Sequence, residues 1–194
     1  MRVFIALPLP VSLKTKLISL QQEFRLLPLD AVWVREAGFH ITLKFLGEVN
    51  ARLIEPIVAC MTAAAQHFPP FMLSLTGVGV FPQASSPRVL WVGVQDVNGA
   101  LRQIQQTLDA QLIQVGFASD ARPFTPHLTL ARLKRVPRQA ELLAAVKAQR
   151  EVFLGQLEVD HMELIESQLH PSGARYAIMN AVHFLRVPET SENR

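Results

Sequence analysis

The chain opens with an apolar, β-branched run, Val3 to Leu7, stopped by Pro8, a pattern that predicts a first strand. Behind it Leu13, Leu17, Leu20, Phe24 and Leu27 recur at steps of three and four, while Lys14, Lys16, Gln21, Gln22 and Arg25 fall off that stripe, the period of an amphipathic helix. Two short strands are predicted over Ala31 to Arg35 and Phe39 to Leu46, the second closed by Gly47. A second helix over Leu53 to Ala65 takes Pro56 in its first turn, where the missing N–H costs nothing. Phe71 to Val80 and Arg88 to Val94 read as paired strands across the turn-rich segment 82–87. Asn98 is the expected cap of a third helix carrying Leu101, Ile104, Leu108, Leu112 and Val115, which Gly116 ends. A strand over His127 to Leu133, a helix over Ala140 to Ala148 and long strand-like runs at Val152 to Leu169 and Ala174 to Leu185 complete the pattern.

About four helices and seven or eight strands, interspersed and often joined by short turns, point to an α+β fold of mostly antiparallel sheets. No Gly-rich linker divides the chain, so residues 1–187 are expected to form a single domain, with the polar stretch 188–194 a disordered tail. Composition agrees: 194 residues, 49% apolar and 18% charged, suffice for a packed core and exclude an intrinsically disordered chain. No apolar stretch approaches the ~20 residues of a membrane span, and Pro8, Pro10, Lys14 and Lys16 break the signal-like start. The lone Cys60, set in the apolar run from Ile57 to Met61, reads as a buried thiol and fits a cytoplasmic protein. A net charge of +3 tolerates phosphate-bearing partners without demanding them.

One internal echo stands out. His40-Ile41-Thr42-Leu43-Lys44-Phe45-Leu46-Gly47 and His127-Leu128-Thr129-Leu130-Ala131-Arg132-Leu133-Lys134 share four of eight positions. With six His and eight Thr in the chain, composition alone yields His-x-Thr about 0.25 times, yet it occurs twice, each time in a strand-like run. The two copies lie close to half the chain apart, as a duplication would place them. Strand alternation puts His40, Thr42 and Lys44 on one face and Ile41, Leu43 and Phe45 on the other. In the second copy His127 and Thr129 share a face, whereas Arg132 falls on the apolar parity, so the strand ends there or the arginine sits at its rim.

Two polar faces meeting in one cleft would present two imidazoles and two hydroxyls. Histidine titrates near neutrality, so one ring can take a proton while the other gives one. Threonine hydroxyls two positions along can donate hydrogen bonds to the non-bridging oxygens of a phosphoryl group held between the rings. Phosphodiester chemistry is therefore the chemical expectation, with His40 and His127 the catalytic candidates and Thr42 and Thr129 the phosphate-binding ones.

These motifs, with Phe39 before the first, Pro126 before the second, the opening Arg2-Val3-Phe4-Ile5-Ala6, the segment Pro87-Arg88-Val89-Leu90-Trp91 and the closing Gly173-Ala174-Arg175-Tyr176, resemble the two-histidine phosphoesterase superfamily. Within it the chain is most similar to the bacterial and archaeal RNA 2′,3′-cyclic phosphodiesterases, also called 2′-5′ RNA ligases. The resemblance implies a bilobal, duplicated α+β fold around a central cleft. It further implies cofactor-free and metal-free opening of a terminal 2′,3′-cyclic phosphate to a 2′-phosphate, with His40 as proton donor and His127 as proton acceptor. The implied partner is RNA with such an end, tRNA fragments included, met by a cytoplasmic monomer with no membrane association; reversal of the same displacement by an RNA 5′-hydroxyl would form a 2′-5′ linkage.

The remaining candidates keep two readings. Lys44 is either a phosphate-steering cation or a solvated strand-end charge, and Arg132 is likewise open. Phe4, Trp33, Trp91 and Tyr176 could stack on a base, though core packing explains most of them; Phe4 is the foremost stacker because the first strand should border the cleft. His67, His161, His170 and His183 lack the motif and read as surface or turn residues. Neither motif offers a second metal ligand at i+2 or i+4, which argues against zinc at the paired histidines. A non-catalytic RNA- or nucleotide-binding module, or the same chemistry on a small cyclic nucleotide, remains as the alternative.

Overall fold

A computed structural model describes residues 1–168 and 174–185. The predicted tail and His170, Gly173 and Leu169 lie outside the described residues. The first strand, β1 (Arg2–Pro8), leads to α1 (Val11–Arg25) and β2 (Asp30–Trp33); a single 3-10 turn, Glu36–Gly38, precedes β3 (His40–Glu48). After α2 (Ile54–Ala65) come β4 (Phe71–Phe81), β5 (Val89–Gln95), α3 (Ala100–Gln114), β6 (His127–Arg135) and α4 (Gln139–Ala148). Three strands, β7 (Phe153–Val159), β8 (His161–Gln168) and β9 (Arg175–His183), complete the described chain.

The strands form two sheets of the expected antiparallel kind, ordered β3-β1-β8-β9 and β2-β6-β5-β4-β7. Helices α2 and α3 pack behind the four-stranded sheet and α1 and α4 against the five-stranded one. Buried apolar residues from both sheets and all four helices form one continuous cluster, which includes Ile5, Leu17, Met61, Leu90, Leu101 and Leu142. The two sheets do not divide the chain at its midpoint. Strands β1, β3, β8 and β9 join residues from the two ends of the sequence, while β2, β4, β5, β6 and β7 come from between. The duplicated motif is therefore shared between interleaved sheets, one copy in each.

Three local expectations are corrected. The run from Val152 to Leu169 is not one strand: it breaks at Asp160, where the chain leaves one sheet for the other, and alternation on both sides hides the break. Asn98 does not cap α3. Gly99 occupies that position with φ +71°, and Asp96 reaches over it to accept from the backbone N–H of Leu101 at 2.6 Å. Cys60 is buried as expected.

The third correction concerns Lys44, which does not share the face of His40 and Thr42. In the pairing of β1 with β3, Ile5 opposes Lys44 and Ala6 opposes Thr42, so Leu43 is an extra residue, a β-bulge, and parity reverses beyond it. Lys44 is driven inward to 3% exposure, where its ammonium donates to Asp109 on α3 at 2.5 Å and to the Ala118 carbonyl at 2.8 Å, with Asp120 at 3.2 Å. Phe45 takes the outward place instead. Strand β6 has the same bulge: Leu90 opposes Ala131 and Trp91 opposes Thr129, leaving Leu130 over. The two motif strands show one and the same order of buried and open positions along all nine residues.

The β6 bulge is closed by α1. The Leu130 carbonyl accepts from the Val34 N–H at 2.9 Å and from the buried Gln21 amide at 2.8 Å, and Gln21 donates its other hydrogen to the Val34 carbonyl at 2.8 Å. Replacing Gln21 with Met keeps the volume but removes both donors, and should cost about 1–3 kcal/mol in urea unfolding. Asp109→Asn leaves the Lys44 ammonium buried with one weaker partner and should cost ~3 kcal/mol, while Lys44→Met should cost less because the Asp109 carboxylate it strands lies nearer solvent and keeps Ser119 as a donor. An Asp109→Asn protein as stable as the parent refutes the structural role of the pair.

Candidate functional site

The cleft-facing side of the four-stranded sheet carries His40, Thr42 and Phe45 on β3 and Phe4 on β1, because each motif strand buries its apolar alternate positions behind it. A cavity of about 420 Å³ opens there, lined by Arg2, Phe4, His40, Phe45, Arg132 and Tyr176 among others. Arg132 comes from β6, the strand of His127, so the two motif strands converge on this space. The bulge resolves the parity of Arg132: it returns the arginine, exposed, to the side of His127 and Thr129. Of the sequence candidates, His40, Phe4 and Arg132 meet at the cavity wall; Thr42 and Thr129 are half-buried on the faces of their respective histidines; and Lys44 is removed to the interior. His127 and the two threonines do not line the cavity itself. A larger groove, about 510 Å³, between α2 and β9 holds none of the motif residues.

His40 is boxed by aromatic rings. Phe4 lies 4.6 Å from it between centroids at 34°, and Tyr176 stands edge-on at 5.5 Å, with Phe45 and Tyr176 each within 6 Å of Phe4. Tyr176 in turn presses on Gly38, where a Cβ would come within 3.0 Å of its ring, so the glycine makes room for this wall. Burial in this box, and after it the positive charge of Lys14 on α1, together push the His40 imidazole from the ordinary 6.5 down to about 4.

His127 is held differently. Its Nδ1 lies 2.8 Å from the Thr125 carbonyl, which can only accept, so the neutral ring keeps its proton on Nδ1 and presents an unprotonated Nε2. Phe81 packs edge-on against that ring at 5.0 Å, and Trp91 stacks on Phe81 at 4.8 Å while lying flat over Gly79, which has no room for a side chain. Trp91 thus supports the Phe81 ring that braces His127, and Trp33 lies beneath the Arg25 guanidinium at 4.7 Å.

Sequence reasoning missed Phe45, Phe81 and Arg2; Tyr176, one of four aromatics it left open between stacking and core packing, is 37% exposed at the cavity. The echo held a partial signal, since aligning its copies sets Phe45 against Arg132; alternation in steps of two, without the bulge, sends both the wrong way.

The sequence profile of the 2′-5′ RNA ligase superfamily matches residues 21–171. A protein of Methanocaldococcus jannaschii named RNA 2′,3′-cyclic phosphodiesterase is 30% identical over 179 residues, covering 92% of this chain and 98% of its own. One of the same name from Aeropyrum pernix is 36% identical over 151 residues, covering 77% and 84%. Among solved structures, TT0787 of Thermus thermophilus superposes with a TM-score of 0.80 at 28% identity, over 95% of this chain and 98% of that one. Escherichia coli LigT complexed with 3′-AMP, at 24% identity and a TM-score of 0.77 over 95% and 98%, shares the fold.

The low basicity of His40 has two consequences. Because the unfolded ring titrates at 6.5 and the folded one at about 4, the folded state binds fewer protons between those values, so stability falls as pH is lowered through that window. His40→Asn should flatten this part of the urea-midpoint profile, and an unchanged slope refutes the assignment. Lys14→Gln removes a repulsive charge and should move the His40 titration, followed by NMR, upward from about 4. With its profile matched over residues 21–171, the chain belongs to the 2′-5′ RNA ligase superfamily.

Proposed function

We propose that the protein is an RNA 2′,3′-cyclic phosphodiesterase that opens the terminal cyclic phosphate to a 2′-phosphate by histidine acid–base catalysis. The observation that carries this reading is the matched pair of bulged strands, one per sheet, each offering a histidine and a threonine on one face and reaching a common cavity, β3 through His40 and Phe45 and β6 through Arg132. The names of the curated relatives supply the substrate class.

In the proposed reaction water attacks phosphorus and gives its proton to the His127 Nε2, the nitrogen that the Thr125 carbonyl leaves free. The P–O bond from water forms, the P–O3′ bond breaks, and the departing O3′ takes a proton from His40. Thr42 and Thr129 donate to the non-bridging oxygens, where charge accumulates. In the free protein His40 is neutral near pH 7, so it must gain its proton as substrate binds; an anionic phosphoryl group beside the ring favours the charged form. Phe4, Phe45 and Tyr176 offer apolar faces to the terminal base, and Arg2 and Arg132 offer charge to the RNA backbone. An RNA 5′-hydroxyl in place of water would form a 2′-5′ linkage by the same displacement.

The test is incubation, with EDTA present, of a short RNA ending in a 2′,3′-cyclic phosphate, read by phosphorus NMR; a 2′-phosphate product is expected. His40→Asn and His127→Asn should each abolish turnover with the fold intact by circular dichroism, Thr42→Ala or Thr129→Ala should cost on the order of 10- to 1,000-fold in kcat, and Arg132→Leu should act mainly on KM. Substantial turnover by either histidine variant refutes the mechanism. RNA bound but unchanged would establish a binding module instead, and turnover confined to small cyclic nucleotides would reassign the substrate.

A further inference from the structure

Two histidines that the catalytic reading leaves unused come together on the four-stranded sheet. His161 on β8 and His183 on β9 are directly opposed in the antiparallel ladder, their rings 5.0 Å apart between centroids and tilted by 38°. Asp160, at the point where the chain passes from one sheet to the other, places its Oδ1 2.6 Å from the His161 Nδ1. Glu163, two residues along the same strand face, brings its Oε1 to 3.6 Å from the other ring nitrogen, Nε2. One donor atom each from Asp160, His161 and His183 lie within 4.8 Å of one another.

Tetrahedral coordination with bonds of about 2.0–2.2 Å sets ligand atoms ~3.4 Å apart, so the widest separation needs to close by little more than 1 Å and the Asp160–His161 contact to open by a little less than that. His183 is exposed and has the freedom to make that movement. The second nitrogen of His161 is meanwhile aimed at the Glu163 carboxylate, the arrangement by which an outer carboxylate orients a metal-bound imidazole. The charges also suit a dication: two carboxylates and two imidazoles carry −2 when the rings are neutral. Two nitrogen donors select a zinc-like ion over magnesium or calcium, which prefer oxygen.

We propose that Asp160, His161 and His183 form a zinc-type divalent cation site that clasps β8 to the edge strand β9, with Glu163 orienting His161 from the outer shell. The site is separate from the proposed chemistry. Glu163 shares a cross-strand row with Ala6 and Thr42, two strand spacings or about 10 Å from the threonine. His183 and Tyr176 lie at opposite ends of β9. A cation here fastens the far end of the strand that carries Tyr176 and leaves the two motif histidines free.

The test uses the intact protein, stripped with EDTA and titrated with Zn2+ against a chromophoric chelator, and in parallel with Co2+ read by its visible absorption. One equivalent of zinc, a rise in Tm on loading and an imidazole-type Co2+ spectrum are expected. His161→Gln with His183→Gln should weaken binding at least ~100-fold and abolish the rise in Tm, while RNA cyclic phosphate hydrolysis in EDTA stays at the parent rate. Asp160→Asn, which keeps both rings, guards against a folding defect in that pair and should weaken binding ~10- to 100-fold. The variant lacking both His40 and His127 should retain its equivalent. The proposal is overturned if less than a tenth of an equivalent binds at about 0.1 mM zinc, if binding survives loss of His161 and His183, or if it is lost with His40 and His127.

Discussion

The extra residue in each motif strand is the constraint on which the site depends. A strand of regular alternation would place Lys44 beside His40 and Thr42 and would turn Phe45 and Arg132 into the core. The bulges at Leu43 and Leu130 reverse that order halfway along, and they do so at matched positions in two different sheets. A bulge leaves ladder groups without their usual partners, and those groups must be answered from elsewhere. In β6 the answer is Gln21, whose buried amide spans the Leu130 and Val34 carbonyls and thereby ties α1 to the strand that carries His127 and Arg132. In β3 the consequence is a buried ammonium, balanced by Asp109 and Asp120 and by the Ala118 carbonyl. Two of the three buried polar side chains among the described residues, Gln21 and Lys44, thus stand behind the two bulges.

The two motif histidines occupy environments that push them apart chemically. His40 sits among Phe4, Phe45 and Tyr176 with Lys14 near it, surroundings that penalise its charged form. His127 is fixed by a backbone carbonyl on one nitrogen and braced by Phe81 on its side, with Trp91 and Gly79 beneath. In the proposed reaction such a ring ties its acid role to occupancy: the anion beside it favours the proton that the leaving alkoxide would then take. Under the proposed function the same apolar box that weakens His40 as a base would also meet the terminal nucleobase.

Edge strand β9 takes part in both clusters of side chains. It supplies Tyr176 to the cavity at one end and His183 to the Asp160–His161 cluster at the other. Its outward face is largely exposed, and only β8 pairs with it among the described residues, so a bond across the two strands has more to contribute here than in the middle of the sheet.

The sequence by itself determined the elements and the pair of motifs. Periods of 3.6 and 2 are local properties, which is why the helices of Leu13 to Phe24 and Leu101 to Leu112 and most strands were readable within a few residues. The His-x-Thr echo was readable because it repeats identity and not merely hydropathy. Tertiary structure decided the rest. Whether Lys44 or Phe45 faces the cleft turns on a bulge set by the partner strand β1, and Leu43-Lys44 carries no residue that announces it. The break at Asp160 is a choice between two sheets, invisible in a run whose alternation continues through it. His161 and His183 are more than twenty residues apart, and only strand pairing makes them neighbours. Local pattern tells each residue which side of its own element it occupies; which element stands opposite, and in what register, is settled by long-range packing alone.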